Sequence, residues 1–362
     1  MKRLLCIVSG MNAGGAETFL MKIYRSIDRS RYQMDFCVQI QQKGFYDDEI
    51  ESMGGRIFHI PCKSKSFFQY RKALAALIRR EKYQSVLRIT SNAFGFLDLK
   101  IAKKAGAKVC IARSSNSSDG KGWKAILAHK IGRLLFSRYV DVRLAPSDLA
   151  GIYTFGEKAY RSGKVRLLQN GIDLNVYRFD PNARKEIRAE FGIEDRLVIG
   201  HIGRFSRQKN HCFLLDVFAK IYEKRPDAVL LLVGKGELEE NICAKAEELG
   251  IAKAVIFTGV RSDVPALLSA MDVFAFPSLY EGMPNTVIEA QATGLPCLIA
   301  DTITKEANVT GQVQYLSLES AEEWSREAIL LAGENRTDPR DLLREKGYDI
   351  NAVVRDFIQY CF

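Results

Sequence analysis

Two doubly wound α/β domains facing a cleft are what this chain of 362 residues predicts. Three observations carry that reading. Short β-branched runs alternate with helix-length amphipathic segments from end to end, which implies parallel sheets built by crossover connections. Loops bearing glycines or cations follow two of the runs directly and open a helix. Turn chemistry at Asn170-Gly171-Ile172-Asp173 divides the chain into halves of ordinary domain size.

The strand candidates of the first half are residues 4–8, 34–39, 56–60, 85–90, 108–112, 140–145 and 165–168. Those of the second half are 197–202, 228–233, 255–258, 273–277 and 296–300. The clearest helix between strands places Phe67, Tyr70, Leu74, Leu77 and Ile78 on one apolar stripe, with Lys72, Arg79 and Arg80 on its other side. An N-terminal domain over 1–169 and a C-terminal domain over 170–350 follow, with a last helix at 351–362 returning to the first. Ligands of such sheets lie at the carboxyl ends of strands, so chemistry belongs on the loops there.

Composition narrows the class. Hydrophobic residues make up 47% and charged residues 27%, a globular balance. No apolar run approaches the ~20 residues of a membrane span. The opening Met1-Lys2-Arg3-Leu4-Leu5-Cys6-Ile7-Val8 runs into Ser9 and a glycine loop, and reads as a buried strand rather than a signal peptide. The eight cysteines are scattered, with no Cys-x-x-Cys pair, as expected of core residues in a reducing compartment. A cytoplasmic protein is expected.

Charge is unevenly placed. Residues 1–168 hold 31 Lys and Arg against 13 Asp and Glu, a net +18; the remainder holds 22 against 30, a net −8. A solvated basic face is one reading. An anionic membrane surface or a phosphorylated lipid carrier is the sharper one. Nucleic acid is not expected, because no recognised binding motif accompanies the charge.

Three constellations could carry chemistry. Gly14-Gly15-Ala16-Glu17-Thr18 follows the first strand and opens a helix, where backbone N–H groups can approach a phosphate; a purely structural turn would use the same glycines. In Gly203-Arg204-Phe205-Ser206-Arg207-Gln208-Lys209-Asn210 the cations Arg204 and Lys209 flank a loop at a helix start, which suits a diphosphate. The third is Glu281-Gly282-Met283-Pro284-Asn285-Thr286-Val287-Ile288-Glu289. Pro284 suits the first turn of a helix, so that Met283, Asn285 and Thr286 can aim N–H groups at an anion. Two carboxylates here also admit a hydrolase with one acid and one base, or acids that merely complement a helix dipole.

The Glu-x₇-Glu run, preceded by Phe276-Pro277-Ser278 and followed by Ala290-Gln291-Ala292-x-Gly294-x-Pro296, resembles the donor-site signature of retaining family-4 glycosyltransferases of the GT-B fold. Gly203-Arg204 with Lys209-Asn210, Leu232-Val233-Gly234-x-Gly236 and Asn170-Gly171-Ile172-Asp173 fit the same family in the same order, over about residues 165–300. The likeness is strongest to bacterial enzymes of capsular and exopolysaccharide assembly. It implies a hexosyltransferase that takes its sugar from a UDP-sugar, with a lipid-linked saccharide acceptor at the inner membrane face.

It also implies roles. Glu289 would bind the donor ribose, Arg204 and Lys209 its diphosphate, and Glu281 would sit at the sugar. Gly282 and the backbone of Met283, Asn285 and Thr286 would line sugar and phosphates, Val260 would touch the base, and Gly14 and Gly15 would close on the donor. Many relatives carry a histidine after the fifth strand. Ser115, followed by Asn116, stands there in this chain, which bears on donor preference and keeps open a catalytically silent sugar-nucleotide binder. A GT-B nucleotide-sugar epimerase is the other alternative. No Asp-x-Asp triplet occurs, so neither a metal nor another cofactor is expected.

Overall fold

Residues Ala228–Val233 are apolar at every position, and every one is buried. A strand hides both faces only inside a sheet covered on both sides by helices, and such sheets organise the whole chain. The structure, a computed structural model, describes residues 1–12, 14–115 and 123–362. It forms two compact units, one of residues 1–172 with 347–362 and one of residues 173–346.

In the first unit β1 (Lys2–Ile7), β2 (Tyr32–Val38), β3 (Ile57–His59), β4 (Ser85–Thr90), β5 (Val109–Ser114), β6 (Val142–Ala145) and β7 (Val165–Leu167) make one sheet in the order β3-β2-β1-β4-β5-β6-β7. Every pair is parallel; Leu4, for example, faces Met34 on one side and Ser85 on the other. Its helices are α1 (Gly15–Ser26), α2 (Asp47–Ser52), α3 (Phe67–Glu81), α4 (Phe96–Ala105), α5 (Trp123–Phe136), α6 (Asp148–Phe155) and α7 (Glu157–Arg161).

The second unit opens with α8 (Pro181–Phe191). Its sheet joins β8 (Leu197–Ile202), β9 (Ala228–Val233), β10 (Val255–Gly259), β11 (Val273–Phe276), β12 (Cys297–Ala300) and β13 (Val313–Leu316) in the order β10-β9-β8-β11-β12-β13, again all parallel. Its remaining helices are α9 (His211–Lys224), α10 (Glu239–Glu248), α11 (Val264–Ala270), α12 (Asn285–Ala292), α13 (Ala321–Leu331) and α14 (Arg340–Glu345). The last helix, α15 (Ile350–Cys361), belongs to the first unit. It buries Ile350, Val353, Val354, Phe357 and Cys361 at helical spacing, with Phe357 edge-on to Phe19 of α1 at 6.2 Å.

Asp180 caps α8, accepting hydrogen bonds from the N–H groups of Asn182 and Ala183, and Pro181 fills the first helical position. Some local expectations need correction. Pro284 is the residue before α12 rather than its first turn. Phe67 leaves the apolar stripe of α3 and is 43% exposed, because the helix begins there, beyond the reach of the sheet. The strand β13 escaped prediction, since Val313-Gln314-Tyr315-Leu316 is a short, half-exposed edge strand.

Among the described residues of the first unit, one Lys or Arg is buried. The Arg113 guanidinium on β5 lies 3.6 Å from the centroid of the Phe19 ring. It donates to the Leu168 carbonyl at 3.1 Å and to Asn170 Oδ1 at 2.6 Å. Burial pushes its pKa down to about 9, so the side chain is retained by these acceptors and the ring rather than by a carboxylate. The Asn170 turn is thereby fastened to the sheet, and the Ile172 N–H closes it on the Tyr348 carbonyl at 2.7 Å, beside α15. Arg113→Met keeps the bulk but strands both acceptors. The expected loss is about 2–3 kcal/mol, read as a lower urea midpoint for the first unit; an unchanged midpoint would refute the fastening role.

Candidate functional site

Strand order reverses direction beside β8, whose neighbours β9 and β11 are reached by crossovers running opposite ways. Loops leaving the carboxyl ends of such a pair diverge and open a crevice, the place where open α/β sheets bind ligands. The two loops here are 203–210, after β8, and 277–284, after β11.

Each loop is fixed by its own chemistry. Residues Arg207–Lys209 make one 3₁₀ turn, and Asn210, at φ 56°, takes the left-handed conformation that asparagine tolerates before α9 begins. Gly234, at φ 138°, lies against this loop so closely that a Cβ there would stand 2.1 Å from the Gly203 carbonyl oxygen. The loop after β9 is then sewn to it: Phe205 N–H donates to the Lys235 carbonyl at 3.1 Å, and Leu238 N–H to the Phe205 carbonyl at 3.1 Å. On its other side, Leu279 N–H donates to the Gln208 carbonyl and Gln208 Nε2 to the Tyr280 carbonyl, each at 2.8 Å.

Across that seam Lys209 Nζ meets Glu281 Oε1 at 2.7 Å. The side chains are 17% and 12% exposed, so the pair is shielded and far stronger than a surface pair. Lys209 Nζ also lies 4.4 Å from the centroid of the Phe276 ring. Beneath it His201 and His211 pack edge to face at 4.7 Å, walled by Phe205, Phe274 and Phe276. His201 Nδ1 donates to the Ala275 carbonyl at 2.8 Å. Burial, and then the neighbouring imidazole, hold His201 well below the usual histidine range. Burial, and then Lys209, push His211 down to about 4. The floor of the site is therefore uncharged at neutral pH, and Lys209 keeps its carboxylate partner without a competing cation underneath.

The other expected residues are distributed as follows. Arg204 does not join Lys209 on the shared carboxylate; it reaches outward, 74% exposed, to Glu237 at 3.0 Å. Gly282, Met283 and Asn285 are half-buried in and just after the second loop, and Thr286 stands in the opening turn of α12, where backbone N–H groups lack intrahelical acceptors. Glu289 lies one turn further in and is buried. Val260, 57% exposed, follows β10. In the first unit Gly14 precedes α1 and Gly15 begins it, with Glu17 folded back so far that a Cβ on Gly14 would meet its Oε2 at 2.5 Å. Burial raises the Glu17 pKa. Ser115 follows β5, exposed, its N–H on the Thr90 carbonyl at 3.0 Å. Asn116 lies outside the described residues.

Several contributors were not singled out from sequence. Glu237 follows the Gly234-x-Gly236 motif, but nothing in the sequence pairs it with the loop of Arg204. Gln291 was quoted only as part of a run, yet it is buried and binds Ala307, Val309 and Thr310, tying α12 to the segment after β12. The histidine pair had no sequence signal beyond two histidines in apolar patterns.

Comparison with known proteins adds to this geometry. Residues 183–348 match the family model of Glycosyl transferases group 1. The chain is 37% identical to the putative glycosyltransferase EpsF of Bacillus subtilis (strain 168), across 98% of this chain and 94% of that one. It is 29% identical to the UDP-Gal:alpha-D-GlcNAc-diphosphoundecaprenol alpha-1,3-galactosyltransferase of Escherichia coli, across 74% and 72%. Among solved structures, Anabaena HepE in complex with UDP-glucose matches with a TM-score of 0.77 over 99% of both chains, at 17% identity. The chain belongs to the group 1 glycosyltransferase family, and its two parallel sheets are those of GT-B glycosyltransferases. It is a glycosyltransferase.

The neutral histidine floor generates a pH prediction. In the unfolded chain His211 titrates near the ordinary histidine value of 6.5, and in the folded chain burial and Lys209 bring it down to about 4. Below pH 6.5 the unfolded state takes up a proton that the folded state refuses, so stability falls with pH until about 4 and is fully present only above 6.5. The shift is worth about 2 kcal/mol by pH 5. Urea unfolding at pH 7 and pH 5 is expected to show His211→Leu losing about that much less than the natural chain; equal losses would contradict the assignment.

Proposed function

We propose that the enzyme transfers a hexose from a UDP-sugar, with retention of anomeric configuration, to a saccharide carried on a lipid diphosphate, in assembly of a capsular or extracellular polysaccharide. The observation that carries the reading is the Lys209–Glu281 pair at the strand-order reversal, within motifs that resemble the family's donor site. A donor diphosphate brings two or more negative charges to such a point, and Lys209 is the shielded cation that answers them. The UDP-sugar is supported by the E. coli relative, which takes UDP-Gal, and by HepE, alike in fold and in complex with UDP-glucose. The same E. coli relative acts on a diphosphoundecaprenol-linked sugar, which supports the acceptor.

In this reading the bond between the anomeric carbon and the diphosphate oxygen breaks with its electron pair leaving on that oxygen. Lys209, with Arg204 turned in from Glu237, neutralises the charge that develops there. Glu281, released from Lys209, faces the carbon as positive charge grows on it. Glu289 holds the ribose, Val260 lies at the base, and Gly282 with the backbone of Met283, Asn285 and Thr286 surrounds sugar and phosphates. Gly14, Gly15 and Ser115, on loops of the first unit, keep the sugar- and phosphate-binding roles that the family resemblance implies, and that unit binds the acceptor. Two cations do the electrostatic work that a divalent ion performs elsewhere.

The test is transfer or slow donor hydrolysis with a panel of UDP-hexoses in excess EDTA. Turnover is expected to persist. Lys209→Ala is expected to lower kcat by about 10²–10³, well beyond its change in KM, as removal of a transition-state contact does. Activity that vanishes with chelator and returns with Mg²⁺ or Mn²⁺ would overturn the metal-free scheme. Binding of every UDP-hexose without turnover would mark a silent partner, and conversion to another UDP-sugar an epimerase.

A further inference from the structure

Helices α3 and α4 pack side by side in the first unit, and a groove of about 690 Å³ runs between them. Its cations are Arg71, Lys72 and Arg79 from α3 and Lys100 and Lys104 from α4, and no Asp or Glu is among its lining residues. Lys72 and Arg79 are seven residues apart, Arg71 and Arg79 eight, and Lys100 and Lys104 four, so each helix turns a basic face to the groove. Neighbouring cations aimed elsewhere are satisfied: Arg80 pairs with Glu81 at 2.8 Å and Lys103 with Asp141 at 2.7 Å. Among the described residues the five in the groove have no carboxylate within 4 Å. Crowding unpaired cations opposes folding rather than aiding it, so the groove is built for an anion brought from outside.

Apolar side chains accompany the charge. Phe67 and Phe68 stand at the groove's end, 43% and 72% exposed. Lys100 Nζ lies 5.1 Å from the ring centroid of Phe136, which ties the groove to α5. That helix exposes Trp123 (70%), Leu134 (83%), Leu135, Leu127, Ile126 and Ile131. Large apolar groups left in water beside a basic helix are the surface of an interfacial element. Nucleic acid would use the cations but leave the aliphatic groups of α5 without a role. Among the described residues no helix is long and apolar enough to cross a membrane.

We infer that the α3–α4–α5 face seats this enzyme on an anionic phospholipid bilayer, the five groove cations taking lipid phosphates while Phe67, Phe68 and the α5 side chains enter the interfacial region. The surface uses none of the residues assigned to the donor, and it holds whether or not the acceptor is lipid-linked. The five groove cations account for part of the +18 of residues 1–168.

The experiment is sedimentation of the full chain with vesicles of equal phosphatidylglycerol and phosphatidylcholine, and with phosphatidylcholine alone. Binding is expected only to the anionic vesicles and to weaken as salt shortens the screening length from about 8 Å to about 3 Å at 1 M. Each cation at such a surface is worth about fivefold, so Arg71→Glu/Lys72→Glu/Arg79→Glu is expected to lower partitioning by two orders of magnitude or more. An equal charge change at the exposed Arg31, Lys108 and Lys164 is the control, expected to cost far less. Phe68→Ser/Leu134→Ser, which leaves net charge alone, is expected to lower binding about tenfold. Thermal melting and retained UDP-hexose turnover verify folding of each variant. Absence of vesicle binding, equal binding to phosphatidylcholine, equal losses from groove and control reversals, or retention on DNA with no vesicle binding would each overturn the inference.

Discussion

An ion pair joins the two loops on which the proposed donor site depends. Lys209 and Glu281 come from either side of the point where strand order reverses, and beyond the one 3₁₀ turn Arg207–Lys209 neither loop has regular structure of its own to hold it there. Their attraction is useful only because the surroundings keep water and rival charges away. Phe276 lies under the ammonium, the histidines beneath stay neutral, and two backbone-level hydrogen bonds through Gln208 hold the loops in register. Loss of either partner would leave the other poorly solvated, which is more harmful than never having had the pair. The glycines follow from the same constraint: the loop after β9 can support Lys209's loop only by approaching closer than a side chain at position 234 permits.

Where physical forces were local, the sequence was readable. β8, β9 and β4 begin and end where their apolar runs do, because a central parallel strand is buried on both faces and shows no ambiguity of period. Edges were harder. β11 stops at Phe276, one residue short of the expected end, since Pro277 has no N–H for the ladder, and β13 lacks a continuous apolar run. At the site, the residue types and their order were legible, but their pairing was not. Glu281 could have faced helix dipole, substrate or cation; only the meeting of two loops 72 residues apart selects Lys209. Arg204 turning to Glu237 and Arg113 seated on Phe19 were equally invisible, because each depends on long-range packing that leaves no periodic trace.

The two units use charge in different ways. In the second unit Arg204 and Lys209 each meet an acid, Glu237 and Glu281, so in the proposed function an anion is bound there by exchange of partners. In the first, five cations line the groove between α3 and α4 with no Asp or Glu in its lining, so in the inference drawn above an anion completes a face rather than replacing a partner. Buried charge in that unit is handled separately: Asp98, with no exposed surface, takes Lys63 at 2.5 Å and Arg88 at 3.0 Å, and Arg88 also donates to the Ile7 carbonyl at 3.0 Å, bracing the carboxyl ends of β1 and β4.

Exchange of partners at Lys209 is the central claim, and calorimetry of UDP binding in a double-mutant cycle tests it most directly. Lys209→Ala, Glu281→Gln and the double variant are titrated alongside the natural chain. If a diphosphate takes Lys209 from Glu281, Glu281→Gln leaves UDP binding undiminished or tighter, and that effect disappears once Lys209 is gone, a coupling of about 1 kcal/mol or more. Effects that add within about 0.3 kcal/mol would contradict the account, because the lysine and the carboxylate would then meet the donor independently.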